Sequence, residues 1–237
     1  MKRAMVTFLL AAAMAGSVFA QQLSTTPASR GEGWEKRVAN DAAKARQGGW
    51  ELVFIGDSIT DFWQNRGKEV WDKYYGVYRA LNLGISADRT EHVLWRLDNG
   101  ELDGYRPKLL ILMIGTNNTG HRPAVQESPE DTAAGIKAIL DKIAQKSPDT
   151  KVVLHPLFPR GEKPDDSARV RNDKVNALIK GYADGKRVVF LDFNKELLEP
   201  DGTLTKEMMP DFLHPKAKGY GIWTKAIMPV IKETLGK

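Results

Sequence analysis

The sequence predicts a three-layer α/β/α domain built on a five-stranded parallel sheet. Short apolar runs recur along the chain, each followed by glycine or polar residues, and helical patterns lie between them. Strands that alternate with helices form βαβ units, and the resulting parallel sheet is covered by helices on both faces. The composition, 42% hydrophobic and 27% charged over 237 residues, suits one globular domain with a substantial core.

Five apolar runs are predicted as the strands of this sheet. The first is closed by Gly56, and its continuous apolar character is typical of a strand that is buried on both faces. In open parallel sheets, ligand sites form beyond the carboxyl ends of the strands, so the residues after each run are candidates for chemistry. The predicted strands are Glu51–Ile55, Tyr78–Leu83, Leu109–Ile114, Lys151–His155 and Arg187–Asp192.

Helices are predicted between the strands from their start and stop residues. The best marked start is Ser128, where Pro129 takes the first helical position and Asp131 completes a capping box. A pair of glycines at 48 and 49 ends the first helix. The predicted helices are Trp34–Gln47, Arg89–Leu97, Ser128–Lys146, Arg169–Tyr182 and Pro215–Leu235.

The N-terminus, residues 1–20, is predicted to be a signal peptide. Lys2 and Arg3 precede an apolar run over 6–15, and Ala20 is the small residue expected at a cleavage point. The run is shorter than the roughly 20 apolar residues of a membrane span. We therefore expect export to the periplasm or the medium, with no membrane anchor after the signal peptide is removed.

The rest of the chain is expected to hold one domain and no cofactor. Residues 21–33 are rich in Ser, Thr and Pro and are predicted to be a flexible leader, followed by the folded domain over 34–237. The net charge is +5, but the lysines and arginines are scattered among acidic residues and form no basic cluster, so no nucleic-acid partner is expected. Cysteine is absent, and His, Asp and Glu do not cluster at ligand spacings, so we expect no metal. The oligomeric state stays open.

Polar residues follow three of the predicted strands. Ser58 lies on the turn after the first strand, where its Oγ can point into the crevice. Gly84, after the second, can bring its backbone N–H close to a ligand, and Asn117, after the third, carries a side-chain N–H donor. Each of these motifs, taken by itself, is also ordinary turn chemistry.

Asp211 and His214 lie three residues apart just before the last predicted helix. The carboxylate can accept the imidazole Nδ1–H and leave Nε2 free as a base, although a surface pair at a helix start would look the same. A serine, two oxyanion donors and an Asp–His pair are together the groups that acyl transfer needs. Their joint placement at one predicted edge favours a serine esterase.

At these residues the sequence resembles the SGNH (GDSL-type) hydrolases. Two further stretches, LNLGISADRTEHVLWRL at 81–97 and LFPRGEKP at 157–164, are similar to the platelet-activating factor acetylhydrolase catalytic-subunit branch. The resemblance covers nearly the whole of the expected mature chain and implies a flavodoxin-like α/β/α fold. The four motifs that carry it are Gly56-Asp57-Ser58, Gly84, Gly115-Thr116-Asn117-Asn118 and Asp211-Phe212-Leu213-His214.

The resemblance also implies a role for each residue of the candidate site. Ser58 is the implied nucleophile, His214 its general base and Asp211 the carboxylate that orients the base. The Ser58 and Gly84 N–H groups and the Asn117 side chain form the implied oxyanion hole. The first motif continues with Ile59 where the family has leucine, a position expected to pack rather than react.

The expected function is removal of a short acyl group, acetyl above all, from an ester met outside the cytoplasm, with an acetylated carbohydrate as the leading substrate. The second hypothesis is a lipid-directed esterase, either a lysophospholipase or a platelet-activating-factor-type acetylhydrolase. A sugar-binding module that keeps the fold without the chemistry is the third.

Overall fold

A computed structural model describes residues 23–120 and 127–237 of the chain. Five parallel strands form one sheet in the order β2-β1-β3-β4-β5. Each strand lies within two residues of its predicted position, so the predicted α/β class and parallel sheet are confirmed. The strands are β1 Leu52–Gly56, β2 Ala80–Gly84, β3 Leu109–Met113, β4 Lys151–Leu154 and β5 Val188–Phe190.

Eight α-helices lie in the described part of the chain, and all five predicted helices are among them. The capping box is confirmed: Ser128 Oγ accepts the Asp131 N–H, and the Asp131 carboxylate accepts the Ser128 N–H. The three unpredicted helices, α2, α3 and α5, are too short for a helical period to show in the sequence. The helices are α1 Glu32–Arg46, α2 Ser58–Asp61, α3 Lys68–Tyr74, α4 Thr90–Asp98, α5 Thr116–Gly120, α6 Pro129–Lys146, α7 Ser167–Ile179 and α8 Ala217–Leu235.

The helices cover both faces of the sheet, and alternate strand residues point to opposite layers. Val53 and Ile55 of β1 belong to the apolar cluster that includes α4, α6 and α7, whereas Leu52 and Phe54 belong to the cluster under α8. Every residue of β1 is buried, as the continuous apolar run predicts. The sheet is therefore the middle layer of three.

One residue of the predicted leader, Ser24, makes contacts inside the fold. Ser24 is buried: its carbonyl accepts the Thr90 hydroxyl at 2.9 Å, and its own Oγ accepts from Asn118 Nδ2 at 3.2 Å. A Ser/Thr/Pro-rich composition did not reveal these contacts, because the partners lie on α4 and α5, far along the chain. Helix α1 also begins at Glu32, two residues before the predicted Trp34.

Residues 1–22, which include the predicted signal peptide, lie outside the described residues. Over the residues that are described, none of the helices combines the length and apolar character needed to cross a bilayer.

Strand register places the candidate loops at one edge of the sheet. Gly56 at the end of β1 is paired with Gly84 of β2 on one side and with Met113 of β3 on the other. Because the strands are parallel, the chain leaves all three at the same edge. The segments that begin at Asp57, Ile85 and Ile114 therefore emerge side by side.

Candidate active site

Ser58, His214 and Asp211 form one chain of hydrogen bonds at this edge. Ser58 is the first residue of α2, and its Oγ lies 2.8 Å from His214 Nε2. His214 Nδ1 lies 2.8 Å from Asp211 Oδ2. The fold thus brings together a serine and an Asp–His pair that are more than 150 residues apart in sequence, as predicted. With Nδ1 donating to the carboxylate, Nε2 can accept the serine proton.

The Asp211–His214 turn is held by its own carboxylate and by a neighbouring loop. Asp211 Oδ1 accepts the backbone N–H groups of Leu213 and His214 at 3.2 and 2.8 Å. Phe212 has a φ of 54°, a conformation that costs energy for a residue with a Cβ, and its carbonyl accepts the Gly161 N–H at 3.0 Å. The contact with Gly161 explains why the 157–164 stretch accompanies the site: it braces the turn that carries the imidazole.

The charge state of Asp211 suits the task of orienting an imidazole. Partial burial raises the pKa of Asp211, but the backbone and side-chain N–H groups of His214 outweigh burial and hold that pKa below its usual range. The carboxylate is therefore ionised at neutral pH. The Ser58 side chain lies mostly below the surface, whereas the Asp211 and His214 side chains stay 43% and 17% exposed, so a substrate can reach the imidazole from solvent.

Asp57, beside the candidate nucleophile, is a buried helix cap. Its Oδ1 accepts the Ile59 N–H at 2.9 Å and so satisfies the start of α2. Burial raises the pKa of Asp57 to about 7, with the Ile59 N–H opposing the rise. Its Oδ2 has no hydrogen-bond partner among the described residues. Asp57 therefore positions α2 rather than acting as a base on substrate.

Asn117 is a buried residue of α5, just after β3. It is 4% exposed, and one hydrogen of its Nδ2 is donated to the Asp88 carbonyl at 2.9 Å. An amide nitrogen carries two hydrogens, so the second remains for a ligand. The Asp88 carbonyl fixes the orientation of this amide and links the loop after β3 to the loop after β2.

Gly84 has no free backbone N–H to offer an oxyanion, which corrects the sequence prediction. Its N–H is already donated to Asn82 Oδ1 at 2.8 Å. A Cβ at Gly84 would lie 2.2 Å from the Asp61 nitrogen, so the residue is glycine because β2 packs directly on the backbone of α2. The motif was located correctly, but its glycine serves packing.

Ala87, three residues further along, presents the free backbone donor of this loop. Its φ is 65°, and its N–H has no acceptor among the described residues. The residues on either side are anchored, since Ser86 Oγ donates to Asp61 Oδ2 at 2.6 Å and the Asp88 carbonyl holds Asn117. The left-handed conformation of a non-glycine residue cannot be read from the sequence, which explains why the motif glycine was chosen instead.

Gly84→Ala is expected to lower the free energy of unfolding by about 1–3 kcal/mol, because α2 and β2 must move apart to admit the methyl group. Chemical denaturation measures the loss. A glycine that served only through its N–H would tolerate alanine, so unchanged stability would contradict the packing role. Gly33→Ala is the matched control, since a Cβ at Gly33 would meet nothing within 4 Å.

A fully buried arginine, Arg96 of α4, ties the ends of β1 and β2 together. It donates to Glu101 Oε1 at 2.8 Å, to Asp88 Oδ2 at 2.7 Å and to the Gly56 carbonyl at 3.3 Å, and also to the Leu83 carbonyl. Arg96 lies within the 81–97 stretch, and no local pattern in the sequence predicted its role. The network fixes the Gly56 carbonyl, two residues before Ser58, and the Asp88 carboxylate, next to Ala87. It therefore stabilises the loops that carry the candidate site.

Phe62 and Arg66 form the rim of the site next to the imidazole. The Phe62 ring lies 5.0 Å from the His214 ring, and the Arg66 guanidinium lies 4.9 Å above the Phe62 ring. Arg66 Nη1 also donates to the His214 carbonyl at 3.4 Å and lies 3.6 Å from Asp211 Oδ2. This stack limits how far the imidazole can move, and no sequence motif indicated it.

His155, at the end of β4, is not part of the site. It is fully buried, with Nδ1 donating to the Leu191 carbonyl at 2.9 Å and Nε2 accepting from Trp223 at 2.9 Å. Burial lowers the pKa of His155 to about 4. It is therefore a neutral packing residue.

Comparison with known proteins relates most of the chain to ester hydrolases. The family model described as "GDSL-like Lipase/Acylhydrolase family" matches residues 54–222. Platelet-activating factor acetylhydrolase IB subunit alpha1 of Bos taurus is 40% identical over 171 residues, which cover 72% of this chain and 70% of the relative. The human protein of the same name is 37% identical over 188 residues, 79% of this chain and 78% of the relative.

Solved structures share the fold at lower sequence identity. A GDSL-like lipase from Bacteroides thetaiotaomicron superposes with a TM-score of 0.68 at 22% identity, over 84% of this chain and 98% of that one.

Proposed function

Since the chain belongs to the GDSL-like lipase/acylhydrolase family, we propose that it is an exported esterase that uses Ser58 to remove acetyl groups from a carbohydrate. The family and its esterase members make it a carboxylic ester hydrolase. The observation that carries the assignment of Ser58 is the chain of hydrogen bonds from its Oγ through His214 to Asp211, at 2.8 Å each. The substrate, the roles of the residues and export are the proposal.

The proposed reaction has two acyl-transfer steps. His214 Nε2 takes the Ser58 proton while Oγ attacks the ester carbonyl, and His214 then protonates the departing alcohol. Water, deprotonated by the same imidazole, attacks the acyl-enzyme and releases acetate. Ionised Asp211 stabilises the imidazolium that forms in each step, and the Phe62–Arg66 rim keeps the ring in place.

The oxyanion hole that we propose consists of the Ser58 N–H, the Ala87 N–H and the Asn117 side chain. The Ser58 N–H has no acceptor among the described residues and lies at the start of α2, where negative charge is favoured. Ala87 takes the place of Gly84, whose N–H is already occupied. Preorganised donors of this kind act on the charge that develops in the transition state.

Asn117→Ala is expected to lower kcat by about 10²–10³-fold, the loss typical of one oxyanion donor, while KM changes little. Steady-state hydrolysis of nitrophenyl acetate gives both constants, and a melting temperature checks the fold, because the Asp88 carbonyl also loses its partner. A kcat within about threefold of wild type would remove Asn117 from the oxyanion hole.

The acetyl group is supported by the names of relatives. Those that are 37–40% identical are acetylhydrolases, and an acetyl xylan esterase from Geobacillus stearothermophilus has the same fold, with a TM-score of 0.62 at 20% identity over 78% of this chain and 95% of that one. The proposal that the alcohol part of the ester is a carbohydrate rests on the predicted signal peptide, since an exported enzyme meets polysaccharides outside the cell. The test is acetate release from acetylated xylan and chitin oligosaccharides, with Ser58→Ala as the control.

Platelet-activating-factor-type hydrolysis is the second candidate, and the same relatives favour it. An acetyl ester on a glycerophospholipid would then release acetate faster than any glycan ester at matched concentration. Nitrophenyl esters of increasing chain length add a second readout: we expect kcat/KM to fall steeply beyond acetyl. Equal turnover of long-chain esters would contradict both candidates and point to a lipase.

Export has its own test. Cleavage after Ala20 would leave Gln21 as the mature N-terminus, which intact-mass analysis of the protein recovered outside the cytoplasm would identify. Recovery of the full-length chain in the cytoplasm alone would contradict it.

A further inference from the structure

A long groove lies on the outer layer of the protein, between α3 and α8. Its volume is about 730 Å³, within the range of small-molecule sites. None of Ser58, Asn117, Asp211 and His214 lines it. The groove is therefore separate from the residues proposed for acyl transfer.

The wall from α8 is a continuous stripe of one helix face. Ala217, Gly221, Lys225, Met228 and Lys232 line the groove at spacings of three and four residues, which places them above one another on one side of the helix. The stripe runs from Ala217 to Lys232, 15 steps along the helix, or roughly 22 Å at the rise of an α-helix. The groove is therefore long enough for an extended chain.

Gly221 makes the groove deep without serving the fold. A Cβ at Gly221 would meet nothing within 4 Å, and its backbone is not in the left-handed region. Glycine inside a helix costs about 1 kcal/mol relative to alanine. With no side chain at Gly221, the space over this part of α8 stays open to a ligand.

The groove is apolar along its length and basic at its rim. Val70 and Tyr74 of α3 and Met228 of α8 line it, and the flexible methionine side chain adapts to irregular ligands. Lys73, Lys225 and Lys232 also line it, and none of the three forms an ion pair with an acid among the described residues.

Glu69 is the acid among the residues that line the groove, so the lysines outnumber it three to one. Unpaired ammonium groups beside an apolar floor complement a ligand with one apolar chain and one negative charge. The two helices flank the groove over the seven residues of α3, roughly 10 Å, which suits one alkyl chain. A bilayer surface is instead met by a protruding face.

We propose that the α3–α8 groove binds a free single-chain anionic amphiphile, such as a fatty-acid carboxylate. The alkyl chain lies over Gly221 between Val70 and Met228, and the carboxylate lies among the lysines. Binding does not require Ser58 and is independent of the proposed esterase activity.

The test is calorimetric titration of the Ser58→Ala protein with dodecanoate below its micelle concentration. We expect one site per chain and at least tenfold weaker binding of dodecyl maltoside, which has the same chain without the charge. The double variant K225E/K232E should lose at least tenfold in dodecanoate affinity, and added salt should weaken binding to the parent protein.

Gly221→Leu fills the groove and should abolish dodecanoate binding. Introduced into the protein that retains Ser58, the same substitution should leave nitrophenyl acetate turnover at or above wild type. Its melting temperature should also stay at or above that of wild type. Gly33→Leu is the matched control, because Gly33 is an exposed glycine of α1 whose Cβ would also meet nothing, and it should bind normally. Undiminished binding to Gly221→Leu overturns the site. Equal affinity for the uncharged amphiphile, or binding to anionic vesicles but not to monomeric dodecanoate, overturns the ligand class.

Discussion

Ser58→Ala is expected to lower kcat for nitrophenyl acetate by about 10⁶-fold, because the proposed nucleophile is removed from a triad that works as a unit. His214→Ala should cost about as much, since Oγ then has no acceptor for its proton at 2.8 Å. The double variant should be no worse than either single one, because the two residues serve the same step. Asp211→Asn should retain more activity than Ser58→Ala, since the imidazole is misoriented rather than lost.

The readouts for these variants are single-turnover and steady-state hydrolysis, with a fluorophosphonate probe as an independent check. The probe should label the wild-type protein at Ser58 and leave Ser58→Ala unlabelled. Thermal denaturation should be unchanged in Ser58→Ala, which keeps loss of fold apart from loss of chemistry. Undiminished turnover by Ser58→Ala, or labelling of another residue, would refute the mechanism and with it the proposed function.

Arg96→Leu should destabilise the protein by about 3–5 kcal/mol, because it leaves buried Asp88 and Glu101 without their shared cation. Both the Arg96 and the Glu101 side chains are fully buried, and burial raises the pKa of Glu101 to about 7, with the Arg96 charge opposing the rise. Such a loss is a large share of the 5–15 kcal/mol typical of a folded domain. In a domain of this size the melting temperature should fall by about 6–20 °C.

The Arg96 prediction has a graded series of controls. Arg96→Lys keeps the charge but not the planar guanidinium that reaches Glu101 and Asp88 together. Its free energy of unfolding should therefore lie between those of wild type and Arg96→Leu. Lys137→Ala breaks an exposed pair with Asp141 and should change stability by less than about 1 kcal/mol. Below its melting temperature, Arg96→Leu should also lose kcat, since the carbonyls of Gly56 and Leu83 lose the guanidinium that links them. Wild-type stability in Arg96→Leu would show that the network is dispensable.

Much of the candidate site was predictable because its motifs are local. Ser58, Asn117 and His214 each follow a strand or precede a helix within a few residues, and the parallel sheet then brings strand ends together. The donor after β2 was not predictable in the same way. Ala87 owes its position to a left-handed backbone conformation. The Gly84 N–H is not free, because it donates to the side-chain oxygen of Asn82, two residues earlier. Neither fact leaves a pattern in the sequence.

The sequence by itself determined the α/β class, the strand positions within two residues and the set of residues to consider, because periodicity and caps act over a few residues. The tertiary structure decided the relations among distant residues. It placed Ser58 against His214, buried Ser24 within the predicted leader, buried Arg96 beneath the site and opened a basic groove beside Gly221. Contacts between residues far apart in the chain depend on how helices pack on the sheet, and no local pattern records that packing.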